Sequence, residues 1–169
     1  MARKLKILFT SSEVYPYAKT GGLADISGAL PKALQQLGHD VRVLMPKYKS
    51  VVEAPQGFEP LHREVDVPLA GRSLKGFLFQ GRLDSEVPIY FMENDGYFYR
   101  DQLYGSASRD YPDNAERFIF FCRAILETCR TLGFRPDIIH CNDWQTGLVP
   151  VYLKTVYAGD PWFAGTRTI

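Results

Sequence analysis

Two short apolar runs, Leu5-Lys6-Ile7-Leu8-Phe9 and Val41-Arg42-Val43-Leu44-Met45, flank a stretch in which Leu23, Ile26, Leu30, Leu34 and Leu37 recur at helical spacing up to Gly38. A strand, a helix and a second strand in so short a span leave few folds open. Parallel strands need a crossover, the crossover is right-handed, and a sheet built this way must be covered by helices. Residues 5 to 45 therefore predict a β-α-β unit that opens a doubly wound α/β sheet, with Pro46 closing the second strand. Pro31 falls inside the helical pattern and lacks an N–H, so the helix is expected to be irregular there.

The remaining pattern extends this plan. Between 62 and 92, Val65, Val67 and Leu69, then Leu74, Phe77 and Phe79, then Val87, Ile89 and Phe91 alternate, with turn residues Ala70-Gly71-Arg72 and Asp84-Ser85 between them. This predicts antiparallel strands or a hairpin. From Asn94 to Tyr111 the chain is rich in Asp, Gly, Tyr and Arg without a clear period and reads as an extended loop. A helix follows, with Asp113 as N-cap, Glu116 at the capping-box position, and Phe118, Phe121, Cys122, Ile125, Cys129 and Leu132 along one face before Gly133. Ile138-Ile139-His140-Cys141 predicts a third parallel-type strand, and Asn142 to Gly147 opens another helix through about Tyr157. Gly165 to Ile169 reads as the beginning of a further strand with no turn or cap after it, which fits a longer parent or a short terminal strand pairing at a sheet edge.

The first strand-to-helix junction carries Lys19-Thr20-Gly21-Gly22-Leu23. The N–H groups of a first helical turn attract anions, glycines let a phosphate approach the backbone, and a neighbouring lysine adds charge. The run matches neither G-x-G-x-x-G nor G-x-x-x-x-G-K-[ST]. On these five residues alone a plain bend fits as well as a phosphate loop. In open parallel sheets ligands bind beyond the carboxyl ends of the strands, which would gather Ser11, Ser12, Glu13, Lys19, Gly21 and Gly22 beside His140, Asn142 and Asp143. Asp143 fits either a sugar- or base-orienting carboxylate or the N-cap of the following helix. His140, ending a buried strand, fits a packed side chain or an acid–base group, and Glu13 fits a ligand contact or a loop tie. His39 and His62 are expected to face solvent, and no spacing among the three histidines predicts a metal site.

Composition narrows the partners. In 169 residues, 46% hydrophobic and 14% aromatic, one globular domain is expected across 1–169. Twenty Lys and Arg against 19 Asp and Glu give a net charge of +1, which offers no electrostatic case for nucleic acid or an acidic membrane. Cys122, Cys129 and Cys141 are odd in number and lack C-x-x-C spacing, so a disulfide framework is not expected, and Cys122 and Cys129 read as core residues. The N-terminus has no signal-peptide core and no apolar run is long enough to span a bilayer, so a soluble, intracellular chain is expected.

Lys19-Thr20-Gly21-Gly22-Leu23-Ala24-Asp25, with Ser11-Ser12-Glu13 before it and Gly28 to Leu34 after it, closely resembles the N-terminal signature of bacterial glycogen synthases and plant starch synthases. Leu103-Tyr104-Gly105, Asp110 to Phe118 and Pro136 to Leu148 fall in that family's order and spacing, so the resemblance covers essentially the whole chain. It implies the N-terminal, Rossmann-like half of a GT-B fold, with a C-terminal domain following. It also implies transfer of glucose from ADP-glucose to the non-reducing end of an α-1,4-glucan with retention, without metal or cofactor. The site is implied residue by residue: Lys19, Gly21 and the Gly22 amide at the ADP-glucose phosphates, Asp143 in the active site, and Tyr104 on the glucan side. Asp25, Glu13 and His140 match motif positions as supporting residues. The family usually has His where this chain has Asn142, so no titratable ring stands there. The active-site histidine and the Lys and Arg that stabilise the leaving diphosphate would lie beyond Ile169, so the chain alone is expected to be inactive. The implied location is the bacterial cytoplasm, or the plastid stroma for a plant source.

Two other functions compete. A non-catalytic glucan-binding module would use Tyr97, Tyr99 and Tyr104 as sugar-stacking surfaces. A dinucleotide-binding oxidoreductase domain is the weaker alternative, because Met45-Pro46-Lys47 stands where an acidic residue should end the second strand.

Overall fold

The computed structural model describes residues 3–55, 57–84, 86–106 and 108–169. The elements run β1 (Lys6–Thr10), α1 (Gly22–Gln36), β2 (Asp40–Pro46), α2 (Lys49–Val52), β3 (Glu59–Leu69), β4 (Arg72–Leu83) and β5 (Val87–Glu93). They continue with α3 (Asp95–Phe98), β6 (Gly105–Ser106), β7 (Arg109–Asp110), α4 (Asn114–Thr131), β8 (Ile138–Cys141), α5 (Val149–Lys154) and β9 (Arg167–Thr168). One sheet has the order β3-β4-β5-β2-β1-β8-β9. From β5 to β9 every pairing is parallel, with Ile7 beside both Val41 and Ile138, while β3, β4 and β5 are antiparallel. The predicted α/β sheet, its parallel centre and its antiparallel hairpin are therefore all present.

Strand order places the helices. The α1 crossover moves outward from β1 to β2, whereas the chain through α4 returns from β5 across β2 and β1 to β8. Right-handed connections running in opposite directions put α1 and α4 on opposite faces. The direction reverses between β1 and β8, and that switch point is where a doubly wound sheet opens a crevice at its carboxyl ends. Central strands are covered on both sides, and Leu8, Phe9, Val43, Met45, Ile89, Phe91 and Ile139 are fully buried. Each such side chain contributes about 1.5–3 kcal/mol relative to exposure.

Several local expectations are corrected. The fully buried face of α1 is Ala24, Ser27, Gly28 and Pro31; of the predicted apolar stripe Leu30 and Leu34 pack half-buried against the core, whereas Ile26 and Leu37 are 57% and 75% exposed. The helix lies flush on the 11–18 loop, where Tyr15 N–H donates to the Ala24 carbonyl and Ser27 Oγ donates to Ser11 Oγ, so only small residues fit. Pro31 sits inside an α1 that runs on past it. In β4 the set Leu74, Phe77 and Phe79 mixed both faces of one strand: Gly76 and Leu78 are buried and Phe77 is exposed.

The segment 94–111 is not a plain loop, since it holds α3 and the β6–β7 pair. Asp113 stands at the N-cap position of α4 without capping it, because its carboxylate takes both Nη atoms of Arg100 at 2.8 and 2.5 Å. Glu116 accepts from the Tyr97 hydroxyl and Arg72 rather than closing a capping box. Bidentate guanidinium–carboxylate bonds are stronger than a side chain–amide cap. The helix expected from 142 through Tyr157 is split into a 3₁₀ turn, Trp144–Thr146, and α5. Pro150 explains the break: it fits the first turn of α5 but would clash inside a longer helix. His39 is half-buried and its Nδ1 accepts from Leu5 N–H, while His62 faces solvent as expected. Ser85 of the expected 84–85 turn lies outside the described residues.

Candidate functional site

The loops after β1 and β8 meet at the switch point, and the β1 loop is held from within by Glu13. This side chain is 3% exposed, and its carboxylate accepts from Thr20 N–H at 2.6 Å, Thr20 Oγ1 at 2.6 Å, Gly21 N–H at 3.2 Å and the Tyr104 hydroxyl at 2.8 Å. Burial pushes the Glu13 pKa up, but the hydrogen bonds from Thr20, Tyr104 and Gly21 outweigh it and hold the group below its ordinary value. Of the two roles open to Glu13 in the sequence, the geometry is that of a loop tie.

That tie decides which amides remain for a ligand. The Thr20 and Gly21 N–H groups are occupied, so Gly21 supplies room rather than a donor. The Gly22 and Leu23 N–H groups open α1 and have no intrahelical acceptor. A Cβ added at Gly21 or Gly22 would meet nothing within 4 Å, so neither glycine is required by crowding inside the domain. Open space over an unblocked helix N-terminus is the geometry of an anion cradle. Lys19 stands beside it, its Nζ 2.6 and 2.7 Å from the two carboxylate oxygens of Asp25. With both side chains about half exposed, this pair adds little to stability and leaves the lysine free to swing to an anion.

Across the crevice, Asp143 has φ 64° and ψ −179°, a backbone region that belongs to glycine. Its Oδ1 accepts from Trp144 N–H at 2.7 Å, so the residue caps the 3₁₀ turn while remaining exposed at the rim. Capping and site placement, alternatives in the sequence, coexist. Tyr104 links the two loops. Its hydroxyl lies 2.7 Å from Ser12 Oγ and on Glu13, and its ring packs against Phe118 and Trp144 at centroid distances of 5.9 and 6.3 Å. Burial drives its pKa up and the neighbouring Glu13 carboxylate adds to the rise, so Tyr104 remains a neutral phenol.

His140 is a packed side chain. Its ring stacks on Phe9 at 4.7 Å, and burial lowers its pKa, which favours the neutral ring. Asn142 Nδ2 donates to the Thr10 carbonyl at 2.9 Å and lies 3.1 Å from His140 Nδ1, so Asn142 ties β1 to β8. Among the described residues no group of three or more His, Cys, Asp and Glu is placed to hold a metal ion, and no helix is long and apolar enough to cross a membrane.

The three tyrosines considered as sugar-stacking surfaces are dispersed. Tyr97 donates to Glu116 and packs on Phe98 and Phe120, Tyr99 is 49% exposed, and Tyr104 is tied to Glu13. The aromatic that the rim does present is Trp144, 54% exposed, which sequence reasoning did not single out. Its position directly after Asp143 at a strand-to-helix junction was the available signal.

A Rossmann-like sheet whose switch point joins an anion-receptive helix N-terminus to a carboxylate and an exposed indole defines a doubly wound ligand-binding domain. The family model described as the starch synthase catalytic domain matches residues 6–169. The glycogen synthase of Syntrophotalea carbinolica is 52% identical over 165 residues, and glycogen synthase 2 of Geobacter sulfurreducens 48%, each match covering 98% of this chain. The solved catalytic domain of starch synthase IV from Arabidopsis thaliana, bound to ADP and acarbose, superposes with a TM-score of 0.87 at 32% identity over 98% of this chain. The chain belongs to the starch synthase catalytic domain family. It spans about a third of the length of these proteins: 34% of the two bacterial relatives and 33% of the solved chain.

Proposed function

We propose that this chain forms the acceptor-side half of the cleft of a glycogen or starch synthase, which transfers glucose from ADP-glucose to the non-reducing end of an α-1,4-glucan with retention. The observation that carries this reading is the convergence at the switch point: the amino end of α1 with Lys19 on one side, Asp143 and Trp144 on the other, and Glu13 with Tyr104 between them. Family membership and a structural neighbour bound to ADP and acarbose support the same ligand classes here.

In this reading the Gly22 and Leu23 amides and Lys19, released from Asp25, receive the diphosphate. Asp143 accepts from hydroxyls of the transferred sugar, which its strained backbone holds at the rim. Trp144, backed by Tyr104, offers the glucan an apolar face. No step is assigned to a metal or cofactor. The groups that neutralise the leaving diphosphate belong to the other half of the cleft, so the 169-residue chain alone is expected to be inactive.

The test is Lys19→Ala in the full-length parent, assayed for glucosyl transfer from ADP-glucose to glycogen. Transfer should fall by about 100-fold or more, the scale of losing one charge-stabilising group. The melting temperature should hardly change, because Lys19 is an exposed loop residue. Undiminished transfer would remove Lys19 from the mechanism.

A further inference from the structure

At the opposite end of the sheet from the crevice, the amino ends of β1, β8 and β9 frame a cavity of about 560 Å³ whose lining includes Arg3, Arg135, Asp137, Trp162, Thr166 and Arg167. Its volume lies in the range of small-molecule sites.

Its chemistry is lopsided. Three arginines face one acid, Asp137, and that acid is already occupied: Oδ1 pairs with Arg3 at 2.5 Å and Oδ2 accepts from Lys6 N–H at 2.8 Å. The Thr166 hydroxyl is likewise spent, donating to the Pro136 carbonyl at 2.8 Å. Two donors are left over. Arg135 and Arg167 have no carboxylate partner among the described residues. The Trp162 indole gives the cavity its ring, while its buried Nε1–H is shut off from it. The Arg135 guanidinium lies 4.4 Å from the Trp162 ring centroid, and stacking fixes the plane of the fork it offers.

We propose that this cavity is a second anion site that binds a phosphorylated small molecule, with phosphoryl oxygens on Arg135 and Arg167. A surplus of two positive charges in a chain of net charge +1 sets the sign of the ligand. Planar guanidinium donors select phosphoryl groups, which accept in the same forked geometry. The site is distinct from the crevice, because β8 enters from this cavity at Ile138 and delivers Asp143 to the other end.

The chain has two tryptophans, so Trp144→Phe leaves Trp162 as its only indole. In that background pyrophosphate, titrated at constant ionic strength, should change Trp162 emission saturably. Arg135→Gln combined with Arg167→Gln should weaken the apparent affinity by at least about tenfold. Lys19→Ala, which removes the lysine charge from the anion cradle at α1, should leave the titration unchanged. Circular dichroism confirms that each variant is folded. The proposal is overturned by the absence of a saturable change up to roughly 10 mM, by equal binding in the double-arginine variant, or by loss of binding in Lys19→Ala, which would place the anion on the α1 loop.

Discussion

The Tyr104 hydroxyl donates to Glu13 Oε1 at 2.8 Å across 91 residues of sequence, and through this bond the loop after β1 and the segment preceding α4 become one surface. Glu13 also holds Thr20 and Gly21, so a single buried carboxylate fixes both the anion cradle and the aromatic wall facing it.

Removing that carboxylate leaves four donors short of an acceptor. Glu13→Gln is expected to destabilise the chain by about 1–3 kcal/mol, and Glu13→Ala by more, in urea unfolding. The pH dependence has a definite sign. Because the folded-state pKa lies below the ordinary 4.5, the contribution is full above that value and is lost as the pH falls through the lower folded value. Between about pH 6 and pH 3 the unfolding free energy should therefore fall more steeply in the parent sequence than in Glu13→Gln. Parallel slopes would mean that Glu13 is not held ionised by the loop.

Asp143 holds a backbone conformation that costs about 1–3 kcal/mol for a residue with a Cβ. Asp143→Gly should raise stability by about 1 kcal/mol, since glycine relieves the strain and loses only a few tenths as a cap. Asp143→Ala keeps the strain, loses the bond to Trp144 N–H and should be destabilised by about 1 kcal/mol. Opposite signs for the two variants in thermal unfolding identify strain stored at the rim, and equal signs would argue against it.

Gly28 is required by close approach. A Cβ there would lie 2.9 Å from the Tyr15 carbonyl oxygen, a backbone atom that cannot step aside without moving the 14–18 loop. Gly28→Ala is expected to cost about 1–3 kcal/mol despite the better helix propensity of alanine, measurable as a lower urea midpoint.

The thiols should be inert in the folded chain. Burial pushes the Cys122 and Cys129 thiols up to about 12 and the Cys141 thiol up to about 11. The thiolate is the reactive form, so a disulfide reagent at mildly alkaline pH should modify them slowly until denaturant exposes all three. Rapid labelling of one cysteine in the native chain would show that its segment opens locally.

The sequence by itself determined the order and type of the main elements: β1, α1, β2, the antiparallel β3–β5, α4, β8, and the two junctions where a site had to lie. Those features follow from hydrophobic period and from glycine and proline placement, which act over a few residues. It could not show that α1 turns Ala24, Ser27 and Gly28 fully inward, leaving Leu30 and Leu34 at the margin of the core and Ile26 outside it, because that depends on how close the 11–18 loop lies. Nor could it show that Asp113 and Glu116 leave their capping roles for Arg100, Tyr97 and Arg72. Glu13 as a tie rather than a ligand contact, Asp143 as cap and rim residue together, and Trp144 as the exposed aromatic were likewise decided only by the tertiary structure. A charged or hydrogen-bonding side chain takes the strongest partner within a few ångströms, and only the folded sheet sets which partners those are.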